Sequence, residues 1–467
     1  TYIVQRFASL ATLFYLLSLI LFVRGRLWYG DKQISFLLFG ASMVSAVCAM
    51  LTKEIAYTLP FAVFLYEFFF MKTSPWKLDL KNKNLLLVFL VLFIFVLLFL
   101  RNFSWSIFDT KPPANDYPYS ISMKEYFFTQ FSVILTYIRL FLIPFHQNLD
   151  YDYPLAHSFF QIKTFFSFLT LLGILSAGVW LFKKYRLISF GIFWFFLTLS
   201  VESSIIPISQ DVIYEHRTYL SGFGFFLALT SAFFYIERKK YLRMALIFLL
   251  IIAGLNMMLT YQRNKIWKDD YTLWADCLKK SPDKARVNNN YANALGAIKG
   301  QVRDALYYYD KAIRLNPYDA KAYNNRGNAY FRLGEYQNAL ESFDKALHLD
   351  PANGYFRYIR GWVYVKLGQY QRAVADFNEA VRQKYENADL FYIRGSVYAE
   401  LGQYQQALDD FSKVIELKPD YADAYNNRAM IYLFQGKNDP GCSDVQKACS
   451  LGNCQGLNWA KGRGACH

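Results

Sequence analysis

Glu215, His216 and Arg217 stand side by side in "DVIYEHRTYLS", just before a long apolar run. A carboxylate, an imidazole and a guanidinium in that order can move a proton and clamp an oxyanion. Two other stretches carry groups of the same kind. "LTKEIAYTLP" holds Lys53 and Glu54, and "RLFLIPFHQNLDYDYPLAHSFF" holds Arg139, His146, Asp150, Asp152 and His157. Asp211 opens the first stretch, and Glu202 lies just upstream of it. Ionisable groups beside a bilayer are costly unless paired, which makes such a set a candidate site. The chemistry it suits is transfer from a lipid-linked phosphate donor. Lys or Arg would hold the phosphate, a carboxylate would take the proton of an acceptor hydroxyl, and the donor's tail would lie among apolar helices. The same groups would also serve as ion pairs pinning helix ends, with interfacial tyrosines as anchors, and spacing does not choose between the two. His146 and His157, flanked by carboxylates, would admit a divalent metal, but no ligand spacing supports one and none is assigned.

The elements that must position these groups follow from composition. The chain has 467 residues, of which 54% are hydrophobic and 19% charged. Runs of membrane-spanning character cover 8–23, 34–51, 55–71, 85–100, 164–182, 187–207, 219–236 and 242–260. The segment 126–144 is also apolar but is broken by Gln130 and Arg139, and reads as an amphipathic helix in the interface. Four loops are densely basic: Arg24, Arg26 and Lys32; Lys72, Lys77, Lys81 and Lys83; Lys183, Lys184 and Arg186; Arg238, Lys239, Lys240 and Arg243. With all four in the cytoplasm the spans alternate without conflict. Lys53–Glu54, residues 101–163, the Glu215–Arg217 loop and everything after Thr260 then face outward. The net charge of +15 resides largely in those loops, with no basic stripe, which argues against nucleic acid. Eight spans place Thr1 on the outer side, without an initiating Met or a signal peptide, so an odd number of spans is expected upstream and the sequence reads as a fragment.

Beyond the transmembrane domain at 1–260, residues 261–285 read as a linking half-repeat, and 286–455 repeat themselves every 34 residues. That is the tetratricopeptide (TPR) period. In "AKAYNNRGNAYFRLGEYQNALESFDKALHLDPAN" the landmarks are Gly327, Tyr330, Ala339, Phe343, Ala346 and Pro351, and they recur in the following copies. The predicted fold is all-α: a polytopic transmembrane helix bundle followed by a TPR α-solenoid. Asn290, Asn324, Tyr358, Tyr392 and Asn426, with Asn328 and Trp362, are expected to line a concave groove for an extended protein or peptide. Exposed Asn and Tyr are also common at such positions without a ligand. Residues 456–467 form a terminal cap, and Cys442, Cys449, Cys454 and Cys466 cluster around it. Their spacing is not that of a zinc ribbon, and an oxidising compartment favours two disulfides, with the three pairings left open. Cys48 and Cys277 read as packing residues.

"LTKEIAYTLPFAVFLYEFFF", "YFFTQFSVILTYIRLFLIPFHQNLDYDYP" and "DVIYEHRTYLSGFGFF", followed by TPRs, resemble the transmembrane-and-TPR (TMTC) family and its bacterial relatives over nearly the whole chain. The membrane part of that family is similar to C-type (GT-C) glycosyltransferases, including protein O-mannosyltransferase-like enzymes that use polyprenyl-phosphate sugars. The resemblance implies a GT-C-like bundle that transfers a sugar, mannose by analogy, to a protein acceptor. The donor surface would comprise Glu215, His216, Arg217, Lys53 and Glu54, with Arg139, Asp150 and Asp152 beside it. It also implies a bacterial inner membrane, or the endoplasmic reticulum if the chain is eukaryotic, with the solenoid periplasmic or lumenal. Such enzymes carry an essential acid in their first outer loop. That loop is not in this sequence, so the catalytic residue is expected upstream of Thr1. The rival expectation is a non-catalytic membrane-anchored scaffold whose TPRs recruit protein partners.

Overall fold

The computed structural model describes residues 2–28, 32–71, 121–200, 212–213, 218–236 and 242–466. Every regular element among them is helical, and the chain divides into two compact units meeting at Pro282 and Asp283. The expected span at 85–100 and the loop residues 201–211 and 214–217 lie outside the described residues.

In the first unit, helices α1 (Tyr2–Leu27) and α2 (Lys32–Thr52) lie against each other. Their apolar sequences leave few polar handles, and three of the serines bond across the interface. Ser18 Oγ donates to the Ser42 carbonyl at 2.8 Å, and Ser42 Oγ donates to the Ser18 carbonyl at 2.7 Å. Such exchange between small residues is how helices associate where no hydrophobic force separates them from their solvent. A 3₁₀ turn (Glu54–Thr58) follows, then α3 (Leu59–Tyr66) and a π turn over Glu67–Met71. Helices α4 (Met123–Leu142), α5 (Ile162–Leu181), α6 (Arg186–Leu199), α7 (Tyr219–Ile236) and α8 (Leu242–Ile266) come next. Ser9–Leu27, Gln33–Thr52 and Ile162–Leu181 are long and apolar enough to cross a membrane; Ala56–Phe70, Arg186–Leu199 and Tyr219–Tyr235 are apolar but shorter.

The segment expected to lie flat in the interface is α4, and its polar residues have specific uses. Tyr126, Gln130, Val133 and Tyr137 form one face of it and are each at most 1% exposed, packed with Phe195, Leu199, Val212 and Ile213. Gln130 is therefore a core residue with a job, whereas Arg139 lies on the exposed side. α8 runs past residue 260 into a last turn carrying Arg263 and Lys265, and α9 (Asp270–Lys280) starts from a reciprocal cap between Asp269 and Thr272.

The second unit is a solenoid of five helical hairpins: α10 (Ala285–Ile298) with α11 (Val302–Leu315), α12 (Ala320–Arg332) with α13 (Tyr336–Leu349), α14 (Gly354–Lys366) with α15 (Tyr370–Arg382), α16 (Ala388–Glu400) with α17 (Tyr404–Leu417), and α18 (Ala422–Phe434) with α19 (Asn438–Ser450). The short α20 (Gln455–Gly462) packs on the last pair. Gly300, Gly334, Gly368, Gly402 and Gly436 all have φ between 69° and 77°, the left-handed conformation that ends the first helix of each hairpin. Inside the hairpins, a Cβ at Gly327 or Gly361 would fall within 3.0 Å of the Phe343 or Phe377 ring. Those rings are fully buried, so the small-and-aromatic landmarks of the repeat mark one contact. Cys442 pairs with Cys466 and Cys449 with Cys454, which ties the end of the cap to α19 and closes the turn before α20.

Candidate functional site

Glu215, His216 and Arg217 lie outside the described residues, but the chain on both sides of them is firmly held. Val212 and Ile213 are 4% and 2% exposed in the core under α4, and Leu220 is fully buried in a second core with Tyr15, Leu59 and Trp194. The carbonyl of Val212 accepts from Gln130 Nε2 at 3.0 Å, and the carbonyl of Leu220 accepts from Trp194 Nε1 at 3.0 Å. α6 joins the two cores, sending Phe190 and Trp194 into one and Phe195 and Leu199 into the other. The same framework reaches the Lys53–Glu54 turn. Trp194 meets the Tyr15 ring at 5.8 Å, and Tyr15 hydrogen-bonds Thr58, the last residue of that turn, at 3.0 Å. Lys53 is half-buried in extended backbone before the turn; the Glu54 side chain is not described. The structure thus links the backbone flanks of two of the three sequence stretches through two buried hydrogen bonds and the ring contact between them.

The third stretch, the loop after α4, is built into a strut. His146 takes a left-handed backbone (φ 58°) in the turn, and Arg139 Nη1 donates to the Phe145 carbonyl at 3.3 Å. Asn148 and Asp150 are each 3% exposed, whereas Asp152 is exposed. Their fixed point is Ser281, just beyond α9. Its Oγ accepts from Asn148 Nδ2 at 2.8 Å and from the Asp152 backbone N–H at 3.0 Å. Lys280 Nζ and Arg263 Nη1 both donate to the Gln147 carbonyl at 2.7 Å. Cys277 is fully buried against the backbone of Leu149 and Asp150, and burial pushes its thiol up to about 11, so it packs as an inert neutral group. The half-repeat expected at 261–285 therefore clamps the "NLDYDYP" loop. Further along, His157 Nδ1 and Glu125 Oε1 meet at 2.6 Å. That hydrogen bond, with those from Ser122, holds the Glu125 carboxyl below its ordinary value.

On the solenoid, the residues expected to line a groove divide into three groups. Asn324 is 4% exposed and its Oδ1 has no partner; Asn290 and Asn328 are half-buried. Asn325 Nδ2 donates to Asn289 Oδ1 at 3.1 Å, which joins two repeats by an amide pair that the sequence reading passed over. Asn325, Asn328 and Arg332 share a shallow cleft with Asn293 and Tyr309. Tyr358, Trp362 and Tyr392 are half-buried; Trp362 Nε1 donates to the Tyr358 hydroxyl at 3.0 Å, and the Tyr392 hydroxyl accepts from Asn427. Asn426 departs from the expectation of an open groove position. A Cβ on Gly456 would come within 2.2 Å of its Oδ1, so the cap helix α20 closes over it.

The second unit is a tetratricopeptide-repeat array: tetratricopeptide-repeat models match residues 297–334, 320–353, 358–422 and 411–439. Among curated proteins the chain is similar to protein O-mannosyl-transferases of the TMTC group. It is 27% identical over 189 residues to human TMTC3, covering 38% of this chain and 20% of the relative. It is 26% identical over 149 residues to Tmtc3 of Drosophila melanogaster, covering 31% and 16%, and 37% identical over 68 residues to human TMTC1, covering 15% and 8%. The chain thus spans a fifth or less of the length of these relatives. Solved structures similar to it include YrrB, described as a TPR protein with an unusual peptide-binding site, at 28% identity over 40% of this chain and 97% of YrrB, with a TM-score of 0.36. Another is MamA of Desulfovibrio magneticus, at 24% identity over 37% of this chain and 97% of MamA, with a TM-score of 0.35.

Proposed function

We propose that this chain belongs to a membrane glycosyltransferase that moves a sugar, mannose by kinship, from a polyprenyl-phosphate donor to a hydroxyl of a protein acceptor held by the solenoid. The observation that carries this reading is the union in one chain of apolar helices with a tetratricopeptide array, in a protein whose curated relatives are O-mannosyl-transferases. The pinned flanks of the Glu215–Arg217 stretch support it, since preorganised groups are what transfer chemistry uses. In this reading Arg217 and Lys53 hold the donor phosphate, and Glu54, Arg139, Asp150, Asp152, Glu215 and His216 shape the surface around it. The acceptor oxygen attacks the anomeric carbon, the bond from that carbon to the phosphate oxygen breaks, and polyprenyl phosphate leaves. The acceptor proton passes to a carboxylate of the enzyme. The bundle sits in the bacterial inner membrane, or that of the endoplasmic reticulum, with acceptor and solenoid on the outer face.

The rival reading is a non-catalytic scaffold, and one observation favours it: Ser281 engages Asn148 and the Asp152 backbone, and Asn148 engages the Asp150 backbone, in a structural strut. A transfer assay separates the two. The natural gene product carrying this chain, purified in detergent, is given radiolabelled polyprenyl-phosphate-mannose and Ser/Thr-containing peptides. Transfer is expected, and Arg217→Ala should lower it by roughly a hundredfold with folding intact, the scale of losing one phosphate clamp. Transfer indifferent to that change would return the stretch to a helix-end ion network, and no transfer would favour the scaffold.

A further inference from the structure

The solenoid surface changes character along its length. Over the first two repeats it presents half-buried amides, from Asn290, Asn325 and Asn328. Over the next repeats it presents aromatic rings and carboxylates. Tyr355, Tyr358 and Tyr385 form a triangle with ring centroids 5.5 to 6.5 Å apart. Trp362 fixes the Tyr358 hydroxyl from one side. One repeat further, Tyr392 and Tyr421 pair at 5.1 Å, and Asn427 Nδ2 donates to the Tyr392 hydroxyl at 3.1 Å. Asp389 lies close enough to both groups for its charge to be felt at Tyr358, Tyr385 and Tyr421, and Asp423 is felt at Tyr392 and Tyr421.

Ring faces carry negative quadrupolar charge, and carboxylates at their rim deepen the attraction for a cation. The molecule's own lysines already respond to it. Lys366 Nζ lies 5.8 Å from the Trp362 ring centre, and Lys418 Nζ lies 5.6 Å from that of Tyr421 while reaching Asp389 at 3.3 Å. The Lys418 and Asp389 side chains are 50% and 56% exposed, so this pair holds weakly and exchanges readily for a better one. Tyr355, at 38% exposure, leaves the triangle open to an incoming group.

We propose that the face formed by Tyr355, Tyr358, Tyr385 and Asp389 receives an arginine or lysine side chain of an extended partner segment, whose backbone is held by the asparagines of the preceding repeats. This rests on the reading of the solenoid as an acceptor groove and adds the chemical class of what it selects. A guanidinium stacks on the rings and pairs with Asp389 in the same pose. An apolar side chain there would displace Lys418 from Asp389 without replacing its charge, and an acidic one would be repelled by the carboxylate.

The full chain, immobilised in detergent, is offered pools of short peptides with random flanks and one fixed central residue: arginine, its uncharged isostere citrulline, or glutamate. The arginine pool should be retained roughly tenfold over citrulline, the span of a well-formed cation–ring site with a carboxylate, and glutamate least. Asp389→Asn and Tyr358→Leu should each erase most of that difference. Equal retention of all three pools, abolished by replacing Asn324 and Asn328 with Ala, would overturn the cation site while leaving the groove. Retention of no pool above background would overturn both. An arginine preference that survives Asp389→Asn combined with Tyr358→Leu would likewise overturn the assignment.

Discussion

At the scale of single residues, a ladder runs through the solenoid that the landmark positions do not announce. Arg326, Arg360, Arg394 and Arg428 recur at the repeat period, and each reaches into the second helix of its own hairpin and back to that of the previous one. Arg360 grips Asp376 with two hydrogen bonds at 2.7 Å and Asp344 with one at 2.6 Å. Asp376 is 5% exposed, whereas the Asp344 side chain is 56% exposed, and burial decides which pair matters. Asp376→Ala leaves a largely buried guanidinium without its bidentate partner and should cost about 3 kcal/mol. Asp344→Ala should cost under about 1 kcal/mol. Hydrogen exchange across α14 and α15 of the full chain, compared between the two variants, reads the difference. The arginines were visible in the sequence at their spacing. Their partners were not, because Asp376 sits 16 residues away on another helix and only the hairpin geometry joins them.

At the scale of elements, α6 and α7 cross at their closest point through small residues. A Cβ on Gly191 would lie 2.5 Å from the Gly224 carbonyl oxygen, and one on Gly224 would lie 2.5 Å from Trp194 Cδ1 and 2.6 Å from the Gly191 carbonyl. Gly224→Val therefore forces the helices apart and takes with them Trp194, whose indole pins the Leu220 carbonyl. The expected outcome is a loss of about 1–3 kcal/mol, seen as a melting temperature several degrees lower in detergent, with Gly254→Val, in open space, as the neutral control. Hydropathy was enough to place most of the described apolar helices, since their sequences are apolar almost throughout. It was not enough to place α4. Gln130 looked like an interruption because its value lies in one hydrogen bond to Val212, 82 residues away. The half-repeat before the solenoid was legible as a helix, but its grip on the loop after α4 through Ser281 and Lys280 was not.

At the scale of the whole molecule, the 34-residue period was decisive, because each hairpin completes its core against its neighbours as well as within itself and so must repeat the pattern. The clustered cysteines announced a cross-linked end, yet the pairing Cys442–Cys466 and Cys449–Cys454 depends on how α20 folds back. The Glu215–Arg217 stretch lies outside the described residues, and the structure adds that Val212 and Leu220 on either side of it are bonded into two cores joined by α6. The central claim is that the solenoid presents a protein acceptor to transfer chemistry supplied by the same polypeptide. Its most direct test is steady-state transfer of mannose from polyprenyl-phosphate-mannose to a peptide acceptor by the natural gene product, comparing the unaltered enzyme with Asn324→Ala combined with Tyr358→Ala. The expected result is a KM for the peptide raised about tenfold with kcat within about twofold, the pattern of lost uniform binding. Transfer with an unchanged KM, or no transfer from this donor at all, would contradict it.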